Sequence, residues 1–434
     1  PMSRVFVHTP LAAFAALLVL PLAAAAQGGP PPPPPPQFPT VQAPIGNPIT
    51  PDKVLLGKAL FWDEQLSSSR TMACATCHIP GSGGTDPRSV PGVTTNPGFD
   101  GLLGTSDDVT GSLGVINSNA DGLYEPEVTF GLDVQVTTRK ANSVINAAFA
   151  QELFWDGRAT STFFDPLTGA PVLGAGAALE SQAAGPPVSS VEMGHLGEDW
   201  AEVATRIAGA TPLAMASGLP TNLANFTAGR TYPQLFQDAF GTAEVSPARI
   251  AMAIATYQRT LISDENPNDD FVQGNPAALT PLEQQGRNVF NDVGRCGTCH
   301  GGPLQTDNLF HNTGVRPNFE DLGRFEVTGV PADRGRFKTP GLRNVELMAP
   351  YFHDGSAATL EEVVDFYDRG GDFHVNQSPL ITPLNLPQNE KNALVAFLKR
   401  PLNDPRVLAE TAPFDRLTLY SETQLTPDLY GSGT

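Results

Sequence analysis

The sequence predicts a mainly α-helical protein with long loops, organised as two domains. Three observations predict it. Apolar residues recur at helical spacing in several segments, while no strand alternation persists. Gly and Pro, 42 each among 434 residues, make up about a fifth of the chain, which suits long loops and disfavours a coiled coil or an idealised bundle. All four cysteines fall into two matching frames, with 222 residues separating Cys74 from Cys296. At the usual ~100–200 residues per domain, this length suggests two domains, with room for a third.

Hydrophobic residues are 40% and charged residues 16% of the chain, enough for a sizeable core. Lys and Arg number 26 against 45 Asp and Glu, a net charge of −19. That argues against phosphate-backbone binding, so no nucleic-acid partner is expected. An acidic surface serves solubility or a basic protein partner.

The elements follow in chain order. Arg4 and His8 precede an apolar run from Leu11 that ends in Ala23-Ala-Ala-Ala-Gln27. This is the pattern of a secretory signal peptide over 1–26, with an uncleaved anchor as the alternative. The mature chain is then exported and without a membrane span. Residues 27–44 read as a linker, in which the prolines at 30–36 form a stiff polyproline II tether. Segment 51–65 reads as a helix carrying Leu55, Leu56, Leu60 and Phe61 on one face. Residues 80–128, rich in Gly, Asp, Asn and Ser, read as a long loop insertion. Within it, Asn117-x-Asn119-x-Asp121-Gly122 lacks the Glu of a calcium loop and reads as a turn. An amphipathic helix covers 247–262, and the polar stretch 263–276 reads as a junction. Thr280-Pro281 starts a capped helix that leads to Cys296, and 389–398 forms another before a Pro- and Asp-rich tail. The domain ranges are 45–245 and 246–425.

Four cysteines in an exported chain suggest two disulfides, but their positions argue otherwise. They stand as Cys74-Ala-Thr-Cys77-His78 and Cys296-Gly-Thr-Cys299-His300. C-x-x-C-H is the attachment signature of c-type haem: two thiols form thioethers and the His becomes the proximal iron ligand. Zinc sites or thioredoxin-like centres leave the repeated His unexplained. The reading is two covalently bound c-type haems in two cytochrome c-like domains, with His78 and His300 on the irons. Haems alone specify electron transfer; reactivity needs one open iron position with polar groups around it.

Three further motifs carry such groups: Phe154-Trp155-Asp156-Gly157-Arg158; Gln182, Pro186 and Glu192-Met193-Gly194; and Pro350-Tyr-Phe-His353-Asp354-Gly355 followed by Thr359-Leu-Glu-Glu362 and Tyr367. With Leu-Gly-Lys-Ala-Leu-Phe-Trp-Asp before the first haem motif and Phe337-Lys-Thr-Pro-Gly-Leu-Arg-Asn344, the chain resembles the bacterial di-haem cytochrome c peroxidase family, including its MauG-type branch, over roughly 45–420.

The resemblance implies that His78 serves the peroxidatic haem, with Gln182, Pro186 and Glu192 in its distal pocket. It makes Glu192 the proton shuttle for peroxide cleavage and Trp155 the electron relay between haems. Where many relatives carry a blocking His, this chain has Leu132, so the peroxidatic haem is expected to be open; His195 follows the Glu192 motif and is close enough in sequence to enter the pocket. Where relatives carry a Met ligand, this chain has Tyr367, pairing His300 with Tyr367 as in MauG-like enzymes. The alternatives are Tyr367 as a core aromatic with a five-coordinate iron, or His374 as ligand. His353 is expected to support a haem propionate or the domain contact, and His311 and His374 to be surface or packing residues. A calcium typical of the family would use carbonyls of Met348 and Pro350 and an Asn whose position here is Lys140. An ammonium cannot ligate a metal, which leaves calcium open.

The resulting expectation is a periplasmic peroxidase that reduces hydrogen peroxide with electrons from a small cytochrome c or cupredoxin. The alternatives are a MauG-like oxidase of Trp or Tyr side chains in a partner protein, and a non-catalytic di-haem electron carrier.

Overall fold

In the computed structural model, which describes residues 1–3 and 38–424, the main helices are α1 (Pro51–Phe61), α2 (Ala178–Ala183), α3 (Trp200–Gly209), α4 (Tyr232–Phe240), α5 (Pro247–Gln258), α6 (Pro281–Asn291), α7 (Leu360–Arg369) and α8 (Gln388–Leu398). Long loops join them, and the described strands pair only as four two-stranded antiparallel ladders. The mainly helical expectation holds. The signal-peptide run and the prolines at 30–36 lie outside the described residues. Among the described residues no helix is long and apolar enough to cross a membrane.

Helices α1 and α6 begin alike. Thr50 and Thr280 each cap the helix, accepting from the amides of Lys53 and Glu283, and each is followed by a proline preset for the first turn. Helix α1 stops at Phe61, short of the expected 65: Trp62 caps it, and the Asp63 carboxylate accepts from the Gln65 amide to open a separate turn. Helix α5 likewise stops before 262, where Arg259 turns its guanidinium onto Glu180.

Two hydrophobic cores form. The first gathers Leu56, Leu60 and Phe61 of α1, Ile250 and Ile254 of α5, and side chains of α3 and α4. Val407, Phe414, Leu417 and Leu419, near the end of the described chain, return into it. The return is pinned by a 2.8 Å ion pair between Lys58 and Asp415, and by the Glu64 carboxylate accepting from the amides of Tyr420 and Ser421. The second core gathers Val289 and Phe290 of α6, Leu360 and Val364 of α7, and Leu394 and Phe397 of α8.

One helix crossing organises each core, and the two crossings match. A Cβ on Gly57 would stand 1.9 Å from the Ala253 carbonyl oxygen of α5; a Cβ on Gly286 would stand 1.9 Å from the Ala393 carbonyl oxygen of α8. Phe61 meets Tyr257 edge-on at 5.3 Å, and Phe290 meets Phe397 edge-on at the same 5.3 Å. Helix propensity alone favours Ala over Gly by ~1 kcal/mol. Here the obstacle is backbone, so Gly286→Ala is expected to destabilise by about 1–3 kcal/mol, read as a lower Tm of the holoprotein in calorimetry. A raised Tm would mean that the helices are free to separate.

The 80–128 insertion is a loop stiffened by short strands: β1 (Thr95–Asn96) with β2 (Val109–Thr110), and β3 (Leu113–Ile116) with β4 (Val134–Val136) just beyond it. Asn119 accepts from the amides of Asp121 and Leu123, the turn expected there. The Val115 amide donates to Val191 O at 2.9 Å and Gln135 Nε2 donates to Ser190 O at 2.8 Å. These bonds seat the insertion against the turn that carries Glu192.

Candidate active site

The first cysteine frame forms one short helical turn, Cys74–Cys77, and ends in His78. The His78 Nδ1 lies 3.0 Å from the Gly84 carbonyl, which can only accept, so Nδ1 carries the proton and Nε2 is left as a ligand atom. Burial lowers the pKa of His78, keeping the imidazole neutral as ligation requires. Burial also pushes the Cys74 thiol up to about 12, which disfavours the thiolate form that zinc binds.

Gln182 on α2, Pro186 at the next turn, and Glu192 line the same cavity as His78. Together with Cys74, Cys77, Trp155 and Arg158 they line one cavity of about 460 Å³. Helix α2 is anchored from behind by a fully buried Glu180–Arg259 pair at 2.7 Å, and Asn47 also donates to Glu180. Glu192 sits on a turn whose Ser189 hydroxyl accepts from the Glu192 amide at 3.3 Å. Burial raises the Glu192 pKa, while Ser189 and Arg158 pull the other way. Its carboxyl therefore holds a proton more readily than a surface glutamate, as a proton shuttle must.

Among the described residues, His78 is the only histidine lining this cavity. Leu132 is 57% exposed and outside it. His195, which stood close enough in sequence to enter, instead faces Glu202 at 3.4 Å.

The second frame repeats the arrangement. His300 Nδ1 lies 3.2 Å from the Gln305 carbonyl, again freeing Nε2, and burial lowers its pKa as well. Cys296, Cys299 and His300 line a cavity of about 300 Å³ together with Tyr367 of α7. No methionine of the described residues lines it. His374 is exposed and bonds to Gln377, away from the cavity. Burial raises the Tyr367 pKa, so its phenolate needs a strong local positive charge to form.

Trp155 stands on the wall of both cavities. Its indole N–H donates to Lys140 O and its own carbonyl accepts from the Lys338 amide, each at 2.8 Å. His353 meets the Trp155 ring edge-on at 6.2 Å and stacks on Phe337 at 3.7 Å. His353 lines the second cavity, and its Nε2 is buried with no hydrogen-bond partner among the described residues. In the first cavity the buried Gln258 Oε1 is likewise unsatisfied. Two apolar-walled cavities, each with a cysteine pair, a preset histidine and an unsatisfied polar atom, fit a c-type haem apiece.

Calcium does not fit. Lys140 Nζ donates to the Met348 carbonyl at 2.5 Å, so an ammonium already engages one of the oxygens a calcium would take.

The structure places Gln182, Pro186, Glu192 and Trp155 on the lining of one cavity. Unforeseen in the sequence are Phe130 and Gln135, which the segment just after the insertion adds to the first cavity, and Lys338 beside the second. Lys338 lies in the quoted Phe337-Lys-Thr-Pro motif and was legible; Phe130 and Gln135 carry no local signal.

A family model described as di-haem cytochrome c peroxidase matches residues 51–277. Methylamine utilization protein MauG of Methylorubrum extorquens is 32% identical over 372 residues, 85% of this chain and 83% of that protein. Cytochrome c551 peroxidase of Nitrosomonas europaea is 31% identical over 356 residues, 81% of this chain and 80% of that protein. A solved structure of a MauG-like protein associated with microbial copper homeostasis has a TM-score of 0.64 at 27% identity, covering 89% of this chain and 97% of that one.

Proposed function

Because the chain belongs to the di-haem cytochrome c peroxidase family, we propose that it is a periplasmic enzyme that reduces hydrogen peroxide on the His78 side and passes oxidising equivalents through Trp155 to the His300 side. Two c-type haems, held by Cys74, Cys77 and His78 and by Cys296, Cys299 and His300, would supply the iron at which peroxide reacts and a second redox centre. The observation that carries the reading is the first cavity, which a preset histidine shares with Gln182, Pro186 and Glu192.

Peroxide cleavage requires a proton to leave one oxygen and arrive on the other. Glu192 is the carboxyl in this cavity suited to both transfers: burial raises its proton affinity, so as a carboxylate it takes the proton from one oxygen and, once protonated, gives it to the other. Gln182 supplies a hydrogen-bonding amide in the same cavity, and Pro186 and Phe130 supply apolar wall. Trp155, fixed by hydrogen bonds at both its indole and its carbonyl, supplies the aromatic step between the two sides.

The electrons come from a small cytochrome c or cupredoxin. Tyr367 on the second cavity favours a further reading, in which Trp or Tyr side chains of a partner protein are the source. A phenolate from Tyr367 would favour the ferric state of a haem held there and so keep oxidising power available to a protein side chain. Export rests on the N-terminal run at 1–26.

The test is one equivalent of hydrogen peroxide added to the as-isolated diferric protein without reductant. A prompt change in the Soret and near-infrared bands is expected. No change until one haem is pre-reduced would mean that a ligand blocks the His78 side, and would overturn the open site. Turnover with a reduced cytochrome separates the first electron source from the second.

A further inference from the structure

Lys140 follows strand β4, is 5% exposed and lines the first cavity together with Trp155. Its main chain clips two elements together: its N–H donates to His353 O and its carbonyl accepts from the Trp155 indole, both at 2.8 Å. Its side chain then reaches a third, donating to Met348 O. No ion pair holds the amine among the described residues; the acidic group acting on it is Asp86, at longer range.

A buried ammonium is costly unless its N–H groups find acceptors. The Met348 carbonyl oxygen answers that need here, and backbone carbonyls are also the hard donors calcium prefers. One set of carbonyls cannot serve both, because calcium needs ~6–8 oxygen ligands closing around it. A lysine amine at hydrogen-bond distance fills that space and repels a second positive charge.

We propose that Lys140 is a tethered cation that takes the place of a calcium ion at this junction, so that the clip around Trp155 is held by an amine and not by a removable metal. A tethered charge is not lost by dilution or to a chelator. Burial lowers the amine's pKa to about 8, which leaves it mainly charged at neutral pH. The proposal goes beyond the peroxidase reading and does not depend on which molecule donates electrons.

Two measurements test it. The holoprotein, purified without chelator, is expected to contain far less than one calcium per chain, and its Tm should be the same in EGTA and in excess calcium chloride. Lys140→Asn removes the amine and adds an amide oxygen. This variant is expected to gain one calcium per chain, and its Tm to rise by roughly 5 °C when calcium exceeds Kd about a hundredfold. Lys140→Met, which offers no oxygen, should show no such response. Stoichiometric calcium in the unmodified protein, released by EGTA with a fall in Tm, would overturn the proposal. So would a Lys140→Asn variant that ignores calcium as Lys140→Met does. Should Lys140→Asn fail to accumulate, the metal content and chelator response of the unmodified protein still decide.

Discussion

Glu192→Gln is expected to slow the reaction with hydrogen peroxide by roughly 10²–10⁴-fold, the usual contribution of a positioned acid–base group, while both haems remain attached. The substitution keeps the size and much of the hydrogen bonding of the side chain and removes only its ability to give and take a proton. The Glu192 backbone is seated by its amide bond to Ser189 and by the Val191 carbonyl, which accepts from Val115 of the insertion. The carboxyl itself meets the Ser189 hydroxyl and the Arg158 charge, and a Gln keeps an oxygen to accept the first, so the fold should be unchanged. Stopped-flow spectroscopy reads the peroxide reaction, and a pyridine haemochrome assay counts two haems per chain in both proteins. A Glu192→Gln enzyme that reacts at the original rate would reduce Glu192 to a wall residue and end the proton-shuttle assignment.

The second large effect is on the other side of Trp155. Tyr367→Met is expected to raise the reduction potential of the His300 haem by hundreds of millivolts, a sizeable share of the ~0.8 V over which axial ligands tune haems. A phenolate donates charge and holds iron ferric, whereas a thioether favours the ferrous state. Burial makes the Tyr367 phenol hard to ionise in the protein alone. Its ionisation beside His300 would therefore signal direct engagement of the metal, not mere proximity. Spectroelectrochemical titration of both haems provides the measurement, with the His78 haem as internal reference. An unshifted potential and an unaltered spectrum would assign Tyr367 to the cavity wall. The variant also separates the electron sources: with the ferric state no longer favoured, oxidation of protein side chains should fall more than turnover with a small reduced donor.

Much of this was legible because the chemistry sits in short, contiguous motifs. A C-x-x-C-H frame places thiols and imidazole within one turn, so sequence spacing becomes spatial spacing without help from the rest of the chain. Gln182, Pro186 and Glu192 were legible through their motif and do share a cavity. Helix α7, which carries Tyr367, announces itself through the Thr359/Glu362 capping box. The repeated helix start was also readable, since Thr50-Pro51 precedes Gly57 as Thr280-Pro281 precedes Gly286.

What was hidden is of another kind. The partners of those glycines, Ala253 and Ala393, offer only their backbone oxygens, which every residue has. The insertion meets the Glu192 turn through the Val115 amide and Val191 O, backbone on both sides, so that contact leaves no trace in side-chain pattern. Helix ends were misjudged where a side chain intervened, as Asp63 does after α1 and Arg259 after α5. Lys140 was visible as a departure from the resemblance; that its amine reaches Met348, 208 positions away, was not.

The return of Val407, Phe414, Leu417 and Leu419 into the first core sets an order of assembly. A chain delivered from its N-terminus presents α1 and the Cys74 frame early, yet the core around them lacks its last apolar side chains until residue 419 has arrived. Until then the Lys58–Asp415 and Glu64–Tyr420 links cannot form, and the first half stays loosely packed. Cys74 and Cys77 pack against this core, so the setting of the first frame is complete only once residues 407–419 have docked. A chain cut after residue 403 would retain both C-x-x-C-H frames and still be unable to shut the earlier one away.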